Sequence, residues 1–291
     1  MMADVCGILL AGGNGTRLFP LTITSNKHLL PVYDKPMIYY PLSTLMMAGI
    51  RDIALVTRTQ DVDLYRKLLG DGSALGISIT YLAQDKANGI PEGYILGKKF
   101  IGSRNIALIL GDNIFLGQGL GKTLEFSTSH SGARIFAFPV TNPGDYGVVT
   151  VDTKSGEIIK LEEKPKNPKS NLAIPGLYFT DNNAIEIAES LVKSPRGEFE
   201  ISDLLNCYLK AGQLEVSMFR RGIGWMDAGS VQSLYAASEL VEILQTRQGL
   251  RFACPEEIAW RNHWISDSEV WAQAQNYPNT EYGSYLESLL R

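Results

Sequence analysis

The chain has 291 residues, 45% of them hydrophobic and 20% charged, a globular composition with ample length to bury a core without disulfide staples. A formal charge of -4 offers no basic field for a nucleic-acid backbone. The apolar run at 5–10 is far short of the ~20 residues that cross a bilayer and is preceded by Asp4, so a cytoplasmic protein without membrane contact is expected.

The first strand-like run, 6–10, leads directly into Leu10-Ala11-Gly12-Gly13-Asn14-Gly15-Thr16-Arg17-Leu18. Glycines at 12, 13 and 15 permit positive φ and let backbone N–H groups approach a triphosphate, to which Arg17 adds a forked cation. A P-loop lysine is absent, and Leu18 stands where a dinucleotide fingerprint needs its third glycine. Ten residues beyond Arg17 comes Lys27-His28-Leu29-Leu30-Pro31-Val32, whose lysine is either a solvated surface charge or a cation for departing pyrophosphate.

Further apolar runs at 53–57, 77–81, 106–110 and 135–140 alternate with helix-like segments at 37–48, 61–69, 91–100 and 122–129. Such alternation predicts an α/β fold, a mostly parallel, Rossmann-like sheet with helices on both faces. The run 106–110 leads to Gly111-Asp112-Asn113, placing an acid past a strand's carboxyl end, where open α/β sheets bind ligands. Asp112 then either caps a turn or holds Mg²⁺, which takes oxygen ligands and shares them with phosphates. After Gly144, alternating stretches at 146–152 and 158–162 flank a turn at 153–156 and predict added antiparallel strands.

A second acid, Asp227, lies in Gly224-Trp225-Met226-Asp227-Ala228-Gly229 and would close a metal site with Asp112. From 231 to 291 the chain reads as mainly helical: Leu234, Ala237, Val241 and Leu244 share one face, with Glu239 and Glu242 turned away. The expected organisation is a catalytic core at 1–230, with a nucleotide half at about 1–143 and a sugar half at about 144–230, then a helical portion at 231–291. Cys6, Cys207 and Cys254, far apart and in apolar contexts, are expected as reduced core thiols.

Together the motifs resemble those of the glucose-1-phosphate thymidylyltransferases, among the sugar nucleotidyltransferases. Matching segments include Gly12-Gly13-x-Gly15-Thr16-Arg17-Leu18, Lys27 with Leu29-Leu30-Pro31-Val32, Asp34-Lys35-Pro36-Met37-Ile38, Leu110-Gly111-Asp112-Asn113, Tyr146-Gly147-Val148, Glu162-Glu163-Lys164-Pro165, Gly176-Leu177-Tyr178-Phe179, Trp225-x-Asp227 and Ala253-Cys254-Pro255-Glu256. They span nearly the whole chain in order.

The resemblance implies transfer of a nucleotidyl group from dTTP to glucose 1-phosphate, with in-line attack on the α-phosphorus and release of pyrophosphate. It assigns catalysis to Arg17, Lys27 and Lys164, and nucleotide binding to Leu10, Gly12, Gly13, Gly15, Thr16, Arg17, Gln84, Gly89 and Asp112. Asn113, Tyr146, Gly147, Glu163, Lys164, Ile174 and Trp225 would take the sugar phosphate, and Asp112 with Asp227 the Mg²⁺. It also implies a homotetramer, a second nucleotide-sugar site on the helical portion and a role in cell-surface polysaccharide biosynthesis. For the residues alone, UTP, an amino- or deoxysugar 1-phosphate, or a non-catalytic sensor are alternatives. On a regular strand, Lys164 would face away from Glu163 unless the backbone twists, and Trp225 reads more readily as a core aromatic than as a stacking platform.

Departures from the family's usual pattern are local. After Gln84 the family shows Pro-Ser-Pro-Asp-Gly-Leu-Ala-Gln-Ala, against Asp85-Lys86-Ala87-Asn88-Gly89-Ile90-Pro91-Glu92-Gly93 here. His28 replaces the usual glutamine and Pro175 a threonine, and the usual Leu-Asp-Thr-Gly-Thr is Met226-Asp227-Ala228-Gly229-Ser230 here. The cluster at 88, 91, 92 and 175 is expected to retune specificity.

Overall fold

The computed structural model describes residues 4–124, 131–152, 155–219 and 221–291. In the first half, strands β1 (Val5–Ala11), β2 (Pro31–Val32), β3 (Lys35–Pro36), β4 (Asp52–Arg58), β5 (Ser78–Gln84), β6 (Asn105–Leu110), β7 (Asn113–Leu116) and β8 (Ala133–Pro139) intervene among helices α1 (Tyr39–Met47), α2 (Val62–Leu69), α3 (Glu92–Ile101) and α4 (Leu120–Leu124). β1 pairs in parallel with β4 and β6, and β4 with β5, as short apolar runs buried on both faces require. The helix expected at 122–129 is observed only as α4, residues 125–130 lying outside the described part, as do 153 and 154 of the expected turn.

The second half adds β9 (Gly147–Val151), β10 (Ile158–Glu163), β11 (Leu172–Ala173), β12 (Leu177–Thr180), β13 (Leu214–Met218) and β14 (Gly224–Asp227), with helices α5 (Asn183–Ser190) and α6 (Ile201–Lys210). β12 is inserted antiparallel between β6 and β8, so the main sheet runs β10-β9-β11-β8-β12-β6-β1-β4-β5, with β13 on β8. The expected antiparallel addition is therefore continuous with the parallel sheet. β7 and β14 pair apart from it as an antiparallel ribbon.

Alternation along β1 divides the core. Leu9 faces a cluster with Leu42, Ile53 and the helices α8 (Pro255–Arg261), α9 (Asp267–Ala274) and α10 (Glu281–Ser288), while Ile8 faces one built with Tyr94, Leu108 and Leu204. A third cluster sets Leu234, Ala237 and Val241 of α7 (Val231–Gln248) against Leu18, Val32, Tyr40 and Ile114, with Leu244 partly buried beside them. Burying each leucine or valine there contributes about 1.5–3 kcal/mol, which ties the helical portion to both the glycine-loop segment and the ribbon. Cys6 and Cys254 are buried as expected, but Cys207 is exposed, because its place on α6 faces solvent. Among the described residues no helix is long and apolar enough to cross a membrane.

Candidate active site

The glycine loop leaves the carboxyl end of β1 and ends in a 3-10 turn at Thr16–Leu18. Of its three glycines only Gly15 uses a left-handed conformation, at φ 63°, and Thr22 Oγ1 donates to its carbonyl at 2.7 Å. This turn sends the Arg17 side chain outward, 65% exposed and 4.0 Å from Asp227. Gly15 and Thr16 shape the turn, whereas Gly12 and Gly13 line a cavity to which those two do not contribute.

Lys27 opens a second 3-10 turn whose cap, Asn26, is fully buried and donates to the Ala11 carbonyl at 3.1 Å and to Asp61 at 2.8 Å. The cation is thus pinned to the end of β1, so Lys27 is not a solvated surface lysine. Its Nζ lies 2.5 Å from Asp112 Oδ2, with both side chains largely buried. His28, behind it, donates from Nδ1 to Asn26 Oδ1 at 2.8 Å, given that Asn26 Nδ2 is committed to two acceptors. Burial, and then the neighbouring Lys27 charge, lower its pKa to about 3, so it is neutral.

The two acids meet through the ribbon. β7 and β14 align Asn113 with Asp227, and Ala228 N donates to the Asp112 carbonyl at 2.9 Å. Burial opposes charge on Asp112, but the charge and hydrogen bond of Lys27 together with the other side chains around it, Asn113 included, hold the carboxyl below its usual range. At Asp227, burial and then the charge of Asp112 push the pKa up, against the pull of Arg17 and Lys27. One cation is therefore committed to one acid while the other remains under-compensated. An all-oxygen pair of this kind suits a divalent cation that also takes phosphate oxygens. Among the described residues, no group of three or more His, Cys, Asp and Glu side chains forms a protein-only metal cage.

Lys164 follows the last residue of β10 and takes φ 41°, a left-handed conformation uncommon outside glycine. The chain turns there, with Lys164 N donating to the Tyr146 carbonyl at 3.1 Å, so Glu163 and Lys164 line the same cavity instead of opposite faces. Burial and then the charge of Glu200 raise the Glu163 pKa, while Lys164 and Arg196 lower it. Trp225 is 9% exposed, meets Tyr146 edge-on at 5.0 Å and donates from Nε1 to Asn113 Oδ1 at 2.7 Å. It is at once a core aromatic and a cavity wall. Asn113 Oδ1 also accepts from Gly176 N at 2.8 Å, and its Nδ2 donates to Asp112 at 3.1 Å.

Two cavities adjoin. Leu10, Gly12, Gly13, Lys27, Gln84 and Gly89 line one; Asn113, Tyr146, Gly147, Ile174, Trp225 and Asp227 line the other. Arg17, Asp112, Glu163 and Lys164 belong to both and mark their junction. Sequence reasoning missed Arg196, Phe199 and Glu200, which also wall the first cavity. Arg196 bridges Glu200 at 2.5 Å and Glu163 at 3.6 Å. In sequence the Pro195-Arg196-Gly197 segment reads only as a turn before α6, so nothing local marked it. Its neighbour Phe199 donates from its backbone N to the Asn88 carbonyl at 2.7 Å, which holds this segment against the loop after β5.

The Nucleotidyl transferase family profile matches residues 6–243. The chain belongs to this family. It is 51% identical over 284 residues to a glucose-1-phosphate thymidylyltransferase of Mycobacterium tuberculosis, covering 98% of both chains. It is 49% identical to that of Neisseria meningitidis serogroup A, covering 98% of this chain and 99% of the relative. Among solved structures, a Bacillus anthracis protein assigned as a glucose-1-phosphate thymidylyltransferase and crystallised with a sucrose superimposes with TM-score 0.75 at 40% identity, covering 81% of this chain and 94% of the other. A UDP-glucose pyrophosphorylase complexed with UDP-glucose does so with TM-score 0.73 at 25% identity, covering 84% and 100%. The family membership makes this chain a nucleotidyltransferase enzyme.

Proposed function

We propose that this chain makes dTDP-glucose and pyrophosphate from dTTP and glucose 1-phosphate. The observation that carries the reading is the junction of two cavities at Arg17, Asp112, Glu163 and Lys164, with Lys27 beside Asp112. A triphosphate in the glycine-loop cavity and a sugar phosphate in the other bring an anionic nucleophile and the α-phosphorus together at the charged junction. Close relatives over almost the full chain carry this activity in their names.

Lys164 holds the sugar phosphate, and the Glu163 carboxylate accepts from sugar hydroxyls. A phosphate oxygen forms its bond to the α-phosphorus as the bond to pyrophosphate breaks on the opposite side, with no covalent enzyme intermediate. Lys27 and Arg17 neutralise the departing charge, and fixed geometry supplies much of the rate. Asp112 and Asp227 hold Mg²⁺, which when bound supplies charge neutralisation on the phosphate oxygens. Gln84 and Gly89 face the base, and Tyr146, Gly147, Ile174 and Trp225 enclose the sugar. We further propose a cytoplasmic homotetramer serving cell-surface polysaccharide synthesis, with 1–143 as nucleotide half, 144–230 as sugar half and 231–291 as a subunit and regulatory surface.

Pyrophosphate release with Mg²⁺ across dTTP, UTP, CTP, ATP and GTP, each with a panel of sugar 1-phosphates, tests the assignment. Greatest kcat/KM for dTTP with glucose 1-phosphate supports it. Preference for UTP favours the second reading, for which the likeness to a UDP-glucose pyrophosphorylase speaks, and no release with any pair overturns both.

A further inference from the structure

Beyond the residues lining the cavity, a partly buried hydrogen-bond relay begins at the proposed base contact and ends at the exposed Lys193. Gln84, 8% exposed at the end of β5, donates from Nε2 to Glu92 Oε2 at 2.5 Å. The same carboxylate accepts from Asn88 N at 3.0 Å and from Asn88 Nδ2 at 2.6 Å. Asn88 Oδ1 accepts in turn from Lys193 Nζ at 2.6 Å, and the Asn88 carbonyl from Phe199 N at 2.7 Å. The neighbouring Gly89, at φ 108°, packs so tightly that a Cβ would fall 2.1 Å from the Phe199 carbonyl oxygen. Glu92 is thus held at the first turn of α3, where the helix dipole favours its charge.

A carboxylate only accepts hydrogen bonds, so the end of the Gln84 amide that faces Glu92 must be its NH₂. The carbonyl end then points the other way, toward Gly12, where a Cβ would lie 2.1 Å from Oε1. Turning the amide over would set Oε1 against the carboxylate.

We propose that Glu92 is a specificity-determining positioning residue: by fixing the Gln84 amide with Oε1 toward the nucleotide cavity, it restricts the enzyme to bases that present a ring N–H. Thymine and uracil offer that N–H beside a carbonyl; cytosine offers an acceptor beside an NH₂ and needs the opposite amide orientation. The inference rests on the reading of Gln84 as the base contact. It assigns Glu92 no part in telling thymine from uracil, which differ by a methyl group.

The test is kcat/KM for dTTP, dUTP and dCTP with glucose 1-phosphate in Glu92→Gln, Glu92→Asp and Gln84→Ala. Glu92→Gln keeps an acceptor for the Asn88 N–H but can donate to Oε1, freeing the amide to turn over. The expected result is a dTTP:dCTP ratio lowered at least about tenfold, with dTTP:dUTP held within about twofold. Glu92→Asp, still acceptor-only, retains most of the selectivity. An unchanged dTTP:dCTP ratio in Glu92→Gln, equal loss in both Glu92 variants, or parallel loss of both ratios overturns the proposal. If Gln84→Ala leaves the dTTP:dCTP ratio unaltered, the base-contact reading itself fails; if it abolishes the preference while Glu92→Gln does not, only the orienting role fails.

Discussion

The Lys27 ammonium lies 2.5 Å from Asp112 Oδ2, where the two cavities meet, and each partner reaches that point from a different parallel strand. The pair joins the segment after β1 to the carboxyl end of β6. Removing one partner of a buried ion pair costs about 3–5 kcal/mol, mostly from the stranded charge. Lys27→Met is accordingly expected to melt lower and to lose at least about 10²-fold in kcat/KM. Adding Asp112→Asn should restore much of the stability and none of the activity. A double mutant no more stable than Lys27→Met would show that the pair is not energetically coupled.

Asp227 should show a conflict between stability and activity. Its folded-state pKa is raised, by burial first and by Asp112 second, so the native state holds the proton more tightly than the unfolded chain does. Ionisation therefore opposes folding above the ordinary aspartate range, and that penalty is relieved as pH falls through the raised value. Asp227→Asn is expected to melt higher than the wild type at pH 7 without metal, yet to lose at least about 10²-fold in Mg²⁺-supported turnover. Wild-type turnover at saturating metal in this variant would remove Asp227 from the proposed metal pair.

His28 predicts an acid-limb change. Its folded pKa is lowered from 6.5 to about 3, so below pH 6.5 the unfolded chain takes up a proton that the native state refuses. Stability from this group is complete above pH 6.5 and declines as pH falls toward 3, at up to about 1.4 kcal/mol per pH unit. Denaturant titrations of His28→Gln over that window should give a shallower dependence than the wild type. Parallel curves would mean that the imidazole is not kept neutral by the fold.

At Lys164 the left-handed backbone, φ 41°, is held by the turn that brings it beside Glu163. Lys164→Gly removes a strain on the order of 1 kcal/mol and should raise the melting temperature relative to Lys164→Ala. Both variants should raise KM for the sugar 1-phosphate by at least about tenfold, since both lose the ammonium. Equal stability of the two would locate no strain at this position.

The sequence by itself determined the parallel half of the sheet, the position of the glycine loop and the identity of the charged residues. Continuous apolar runs such as Ile106 to Leu110 need burial on both faces, and a glycine turn after β1 with Arg17 is a local signal. It also marked α7, where Leu234, Ala237 and Val241 form the buried stripe expected from their spacing. Only the tertiary structure decided that Asp112 and Asp227 meet, because the pairing of β7 with β14 links residues far apart in the chain. The same holds for Lys164, whose alternation on a strand would have turned it away from Glu163, and for Arg196, whose segment gains its place through its contacts with Glu163 and with the loop after β5. Local periodicity reports which face a residue takes on its own element; which charges share a cavity depends on long-range pairing and on single backbone angles that no nearby residue dictates.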